Sequence, residues 1–494
     1  MLKIETNDEP VASSRRLALG ALASGTVNVI KVGLQLLLLP VMARLLGPSE
    51  FGVYALALPT VSFVALLADG GLGATLAREP ESHSRVWSSA FWLLLLTGII
   101  LALGATIFGL FVSYMASQPR VATMIAVLSL SIIFLVLAVP PSARLARRKN
   151  LGAGALAELV ANIVGAAIAV VLALRGAGAW SLVAQYLTIY ASRSIILNLA
   201  ALSWPTLEFS FSVVKIHLAA GGLIVTARLV DYASRVGENV LVDRIFGTAV
   251  LGSYTFANQI SKFAGETIGN VTWAALYVQA LTSDRRTTAE IYRKLCRLVA
   301  AILFPATFLA AAAAPELVST LLGAKWNELT PMLQILLPVV ACWTVANQST
   351  AMLLAVNRFD IAFWCGVALS LGRLLAIFCG TWIGLLAAVY AVAGVTLLYV
   401  TLLLLLAAQV TGCSPIAMLR GLVGPTCSSL AAATVCLFFL RQGPTTLGWT
   451  IICLLLGIGV FACSMLVIDR KDLVEDWVIL RKIFASQRVG LDSN

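Results

Sequence analysis

One block of sequence occurs twice in this 494-residue chain. Ala43-Arg44-Leu45-Leu46-Gly47-Pro48-Ser49-Glu50-Phe51-Gly52-Val53-Tyr54-Ala55-Leu56-Ala57 returns as Asp243-Arg244-Ile245-Phe246-Gly247-Thr248-Ala249-Val250-Leu251-Gly252-Ser253-Tyr254-Thr255-Phe256-Ala257. Arg, Gly, Gly, Tyr and Ala fall at identical offsets in both copies. Each copy fills a short polar break between two long apolar runs, which makes it the turn of a membrane hairpin. A turn repeated in this way implies that one membrane-embedded unit was duplicated. Duplicated helix bundles flanking a midplane site are a common transporter plan.

Composition supports a membrane reading. The chain is 60% hydrophobic and 12% charged, against about 25% charged in soluble domains. Apolar runs of roughly 20 residues give about fourteen spans, near 18–42, 52–76, 88–111, 121–140, 152–174, 180–203, 217–241, 251–280, 298–321, 331–356, 361–383, 385–409, 421–440 and 447–468. The predicted fold is therefore an all-α polytopic membrane protein with about fourteen transmembrane helices. The two near 217–241 and 251–280 are the most charged.

The net charge of +11 is a topology signal and not a nucleic-acid footprint. With both termini inside, the inner breaks and tails hold most of the basic residues, among them Arg15, Arg16, Arg144, Arg147, Arg148, Lys149, Arg285, Arg286, Arg293 and Lys294. The outer breaks hold only Arg44, Arg120, Arg175, Arg244, Lys325 and Arg441. That asymmetry predicts a cytoplasmic N- and C-terminus. The nine cysteines form no CxxC pair and read as packing residues.

The repeat sets the expected organisation. An N-terminal six-helix bundle covers 1–203, a cytoplasmic connector 204–216, and a C-terminal six-helix bundle 217–409. Because six is even, the two bundles are parallel repeats. Two additional helices occupy 410–468 and are expected to pack outside the bundle, followed by a cytoplasmic tail, 469–494. The connector reads as the flexible join.

Charges within spans cost about 2.5–3.5 kcal/mol each near a helix centre, so they must face protein or a water-filled cavity. Lys31, Arg193, Arg228, Arg235, Lys262 and Arg373 are the basic set and candidate substrate contacts. The acidic set is Asp69, Glu158, Asp231, Glu238 and Glu266; of these Asp69, Asp231, Glu238 and Glu266 are the coupling-ion candidates. Arg228, Asp231, Arg235 and Glu238 share one helical face with opposite charges adjacent, and that ladder either neutralises itself or faces a ligand. Lys262 and Glu266, four apart, present the same two readings. Lys31 lies between Asn28 and Gln35 in a polar stripe, and Arg193 follows Tyr186 and Tyr190 on one face. Cations with aromatic rings suit an anionic ligand carrying a sugar. Acids on other spans, such as Asp69, are the alternative partners. Asp69 itself, in Asp69-Gly70-Gly71-Leu72-Gly73, is either a coupling carboxylate or a helix-end residue among small packing residues.

With these motifs in view, the chain resembles the lipid-linked oligosaccharide flippases of the multidrug/oligosaccharidyl-lipid/polysaccharide exporter superfamily, in its exopolysaccharide-export branch of succinoglycan and xanthan type. The resemblance rests on the Ala43–Tyr54 block, Asp69-Gly70-Gly71-Leu72, the second copy at Arg244–Tyr254, and Gly323-Ala324-Lys325-Trp326. It implies a V-shaped two-lobed helical transporter of the bacterial inner membrane, not an enzyme, with a basic central cavity that works by alternating access. The implied cargo is an undecaprenyl-diphosphate-linked oligosaccharide, moved from the cytoplasmic to the periplasmic leaflet for polysaccharide biosynthesis. The polysaccharide polymerase and co-polymerase are the implied partners alongside the lipid bilayer. No cofactor or metal is expected, and nothing resembles a nucleotide-binding loop. A lipid-linked peptidoglycan precursor flippase and a multidrug/cation antiporter are the alternatives. No acidic cluster in the first six spans matches the cation site of the drug-exporting branch.

Overall fold

The computed structural model describes residues 9–68, 84–148, 150–202, 205–210, 222–282, 285–412, 414–444 and 446–468, together with Leu76. They are helical throughout: α1 (Glu9–Ala68), α2 (Ser84–Ala116), α3 (Pro119–Leu137), α4 (Val139–Arg147), α5 (Leu151–Leu174), α6 (Trp180–Ala201), α7 (Gly222–Phe246), α8 (Thr248–Thr282), α9 (Arg285–Ala312), α10 (Ala314–Leu317), α11 (Leu329–Ala355), α12 (Phe359–Thr381), α13 (Leu385–Thr411), α14 (Pro415–Gln442) and α15 (Leu447–Ile468), with a π turn at Val318–Leu322 and a 3-10 turn at Ala324–Trp326 between α10 and α11.

Among the described residues, 10 helical segments are long and apolar enough to cross a membrane. α1 counts once there, although it is two helices joined at Gly47 (φ 77°, ψ 171°). α6, α7 and α8 fall outside that set, and they are the helices that carry Arg193, the Arg228–Glu238 ladder and Lys262. Polar groups on a spanning helix lower its hydropathy and mark a face that avoids lipid.

The duplicated turn is visible in the backbone. Gly247, between α7 and α8, has φ 90°, matching Gly47 in the first copy. A side chain would clash in that left-handed conformation, so glycine recurs at this offset.

The chain divides into two compact units, Met1–Ala249 and Val250–Asn494. In the first, α1 packs on α3, α5 and α7, and α5 packs along α6. The sequence places α7 with the second bundle, whereas in the structure it lies against α1 and α2. The two repeat turns meet inside this unit. Asn239 Nδ2 donates to the Ala55 carbonyl at 2.7 Å, Gln118 Nε2 to Thr248 Oγ1 at 2.9 Å, and Arg244 Nη1 to Ser117 Oγ at 2.5 Å. The expected flexible connector is tied down over its described part. Thr206 and Ser210 donate their amides to Ser88 and Ser89 on α2, and Trp92 donates to the Thr206 carbonyl.

Packing within the first unit follows membrane rules. α2 buries Ser88, Ser89, Gly98, Ala102, Ala105 and Gly109 and exposes Leu96, Ile100, Leu103, Ile107 and Leu110. Small residues let backbones approach, while large apolar side chains suit lipid. A Cβ on Gly109 would stand 2.7 Å from Ile125 of α3.

In the second unit, α9, α11 and α13 enclose a core containing Tyr292, Cys296, Leu303, Phe304, Val345, Met352 and Leu403. α14 and α15, the two helices outside the repeat, dock through Cys436, Leu440 and Cys453 onto Leu309 and Ala313. Cys296, Cys365, Cys436 and Cys453 are buried and form no disulfide.

Candidate functional site

The site begins with a proline pair. Pro140 and Pro141 carry no amide hydrogen, so α3 loses its ladder at Leu137 and the chain restarts as α4. The Leu137 carbonyl, which the residue four positions on would normally satisfy, instead accepts from Asn198 Nδ2 of α6 at 3.1 Å. α4 is thereby held against α6. Its Arg144 guanidinium lies 4.7 Å from the ring centre of buried Trp87, a cation–π contact. After α4 the chain turns, Arg148 donates to the Ala201 carbonyl, and Asn150 caps α5 by accepting from the Ala153 amide at 3.2 Å.

These contacts leave a cavity of about 360 Å³ between α1, α4, α5 and α6. Its wall takes Val27, Asn28 and Lys31 from α1, Ser142, Leu145 and Ala146 from α4, Arg193 and Leu197 from α6, and Gly154, Ala155 and Glu158 from the first turns of α5, with Asn150 at the cap. Lys31 Nζ donates to Glu158 Oε1 at 2.5 Å, with the two side chains 27% and 39% exposed. The Nε of Arg193 is buried and no described residue accepts from it. The N-terminal end of α5 adds the positive end of a helix dipole to the same wall. Two cations, one carboxylate and a helix N-terminus make a site suited to an anion. Its volume is at the small end of ligand pockets, which run about 300–1,000 Å³, so it fits a headgroup and not an entire lipid-linked oligosaccharide.

Of the residues singled out from sequence, Lys31 and Arg193 share this pocket. Tyr186 and Tyr190 are outside its wall; their rings lie 4.7 Å apart on α6, and Tyr186 bonds Ser62 of α1. Arg235 Nε donates to Asp231 Oδ2 at 2.9 Å, four residues apart on α7, and Glu238 is buried on the same helix. Lys262 on α8 and Arg373 on α12 are half-buried in the second unit. Asp69 lies outside the described residues, as do the side chains of Arg228 and Glu266.

Sequence reasoning did not single out Glu158 as a site residue, nor pair it with Lys31. Glu158 was visible as an acid inside a span, but nothing local connects residues 127 positions apart. Ser142 and Asn150, neutral residues at helix ends, carried no signal at all.

A clamp at the other end of these helices stabilises the turns of this unit. Glu50 accepts both Nη atoms of Arg120, at 3.2 and 3.1 Å, and the Ala179 amide at 2.6 Å. Burial disfavours the charged form, but the guanidinium and the amide outweigh it and hold the Glu50 carboxyl below its ordinary value.

Comparison with known proteins agrees with this architecture. The chain is 26% identical to the succinoglycan biosynthesis transport protein ExoT of Rhizobium meliloti (strain 1021), over 67% of this chain and 68% of the relative. It is 24% identical to the lipopolysaccharide biosynthesis protein WzxC of Escherichia coli (strain K12), over 70% and 71%. The inward closed conformation of the lipid II flippase MurJ matches its fold with a TM-score of 0.73 at 13% identity, covering 92% of this chain and 100% of that one. An inward-facing multidrug resistance MATE family transporter matches with a TM-score of 0.63 at 14% identity, covering 79% and 96%. The doubled hairpin turn and the charged helices around it fall within residues 41–331, the stretch that matches a family of known description: the chain belongs to the polysaccharide biosynthesis protein family.

Proposed function

We propose that this protein is a flippase that carries a lipid-linked oligosaccharide from the cytoplasmic to the periplasmic leaflet of a bacterial inner membrane, by alternating access. In this reading the carrier is undecaprenyl diphosphate, and the product feeds a polysaccharide polymerase. The observation that carries the reading is the meeting of Lys31 and Arg193 in one headgroup-sized pocket. The names of the relatives point the same way: one is a succinoglycan transport protein and another a lipopolysaccharide biosynthesis protein.

The electrostatics suit such a cargo. A diphosphate carries about two negative charges, and moving them out across about 100 mV is downhill by roughly 4–5 kcal/mol. The obstacle is stripping water from the headgroup, and buried cations lower it. Both termini are cytoplasmic in this scheme, which puts the pocket beside the basic Arg144–Arg148 segment on the side where cargo is assembled.

The test is a strain deleted for this protein, complemented with the wild type or with Lys31→Gln. Wild type should restore polymer, and Lys31→Gln should leave lipid-linked oligosaccharide on the cytoplasmic side at normal protein abundance. Unchanged polymer in the deletion strain, or accumulation of a peptidoglycan precursor instead, would overturn the reading.

A further inference from the structure

The pocket contains its own anion. Its ionisable wall residues are Lys31 from α1, Glu158 from α5 and Arg193 from α6, while α4 presents only Ser142, Leu145 and Ala146. Lys31 is occupied by Glu158. Among the described residues nothing else donates to that carboxylate; Asn162 Nδ2 bonds the Glu158 backbone carbonyl, not its side chain. Glu158 is therefore attached to the wall through one ion pair, with its side chain 39% exposed.

A phosphate group entering between Lys31 and Arg193 needs the same ammonium that Glu158 holds. Without Glu158, the vacant pocket would hold two uncompensated cations within the membrane, an expensive state. It would also bind a diphosphate without giving up any pre-existing pair, and tight binding slows release. We propose that Glu158 is a resident counter-anion: it holds Lys31 while the pocket is vacant, is displaced by the phosphate of an arriving lipid diphosphate, and reclaims Lys31 as that headgroup leaves. Glu158 thus acts on the cargo through Lys31, as a positioning residue. This inference rests on the proposed function, since it presumes that the pocket takes a phosphate.

The test measures binding of inorganic pyrophosphate to the full-length protein in lipid nanodiscs, with a short-chain polyprenyl diphosphate as competitor, beside export per molecule in cells. Glu158→Gln should bind pyrophosphate about tenfold more tightly and export more slowly at equal abundance. Glu158→Asp should stay close to wild type in both. Lys31→Gln should bind about tenfold more weakly, and Lys31→Gln with Glu158→Gln should bind no better than Lys31→Gln alone. Equal or weaker binding in Glu158→Gln, with Lys31→Gln still weakened, would overturn the counter-anion and leave the anion pocket standing. Wild-type binding unaffected by Lys31→Gln, absent altogether, or not displaced by the polyprenyl diphosphate, would overturn the pocket and the inference together. Should Glu158→Gln fail to fold, the double variant decides: binding as tight as wild type, despite the lost ammonium, would exclude competition for Lys31.

Discussion

The space that a Cβ on Gly52 would need is already filled by the backbone carbonyl of Thr248. Gly52 belongs to the first copy of the repeated turn and Thr248 to the second, so the duplicated motif is packed against itself. Asn239, just before the second copy, adds a hydrogen bond to the Ala55 carbonyl of the first, and Gln118, from the turn between α2 and α3, bonds Thr248.

Gly52→Ala is accordingly expected to lower the melting temperature and the amount of folded protein, at a cost of about 1–3 kcal/mol. Backbone atoms cannot swing aside as a flexible side chain can. Gly104→Ala on the exposed face of α2, where a Cβ meets nothing within 4 Å, is the control and should be neutral or slightly stabilising. Thermal unfolding in detergent and quantitative blotting would read both. Normal abundance with lost export in Gly52→Ala would instead make this contact part of the transport movement.

The repeat shows how far local pattern reaches. Gly47 and Gly247 stand out in sequence because the same backbone turn requires glycine twice, and both have positive φ. Long apolar runs likewise announce the helices, since burial in lipid leaves few other options. The pairing of Lys31 with Glu158, and the docking of α7 against α1, are tertiary contacts between distant segments. No local periodicity encodes them. Asp69, the example that the sequence offers of an acid on another span that could pair with Lys31, lies outside the described residues. Tyr186 and Tyr190 share a helical face with Arg193, yet both lie outside the pocket wall, Tyr186 bonded to Ser62 and Tyr190 against Tyr186.

The Glu50 clamp makes stability depend on pH. Its carboxyl titrates below its ordinary 4.5 in the folded protein, so the folded state favours the ionised form. The clamp's contribution is therefore fully present above pH 4.5 and is lost as pH falls through the lower folded value. Glu50→Gln should destabilise by about 1 kcal/mol near neutrality, given that Arg120 is half-exposed and screened. The gap in melting temperature between wild type and Glu50→Gln should shrink as pH drops below 4.5. A gap that persists unchanged into strong acid would mean that the carboxylate charge is not what holds these turns.

A cytoplasmic C-terminus follows from the fourteen-span reading and the basic inner breaks. Fusion of alkaline phosphatase after Asn494 should be inactive, and fusion of a cytoplasmic fluorescent reporter there should be bright. The reverse pattern would require either an odd number of crossings or an inverted chain, and the inverted chain would undo the assignment of the Arg144–Arg148 segment to the cytoplasmic side.

Charge and shape should separate at Lys31 and Arg193. Lys31→Arg keeps a cation facing the pocket and should retain much of the export, while Lys31→Gln should lose most of it. Arg193→Lys should be worse than Lys31→Arg, because an ammonium cannot reproduce the planar fork that a guanidinium offers to phosphate. A purely structural role predicts something different. If Lys31 serves only to neutralise Glu158, then Lys31→Gln leaves an unpaired, half-buried carboxylate, and adding Glu158→Gln removes the problem. Export should then recover in the double variant. If Lys31 holds the cargo, the double variant stays inactive at normal abundance, because neutral glutamines satisfy each other and still bind no phosphate. Export measured per molecule of folded protein in the two single variants and the double variant distinguishes the cases, and recovery would remove Lys31 from the binding site.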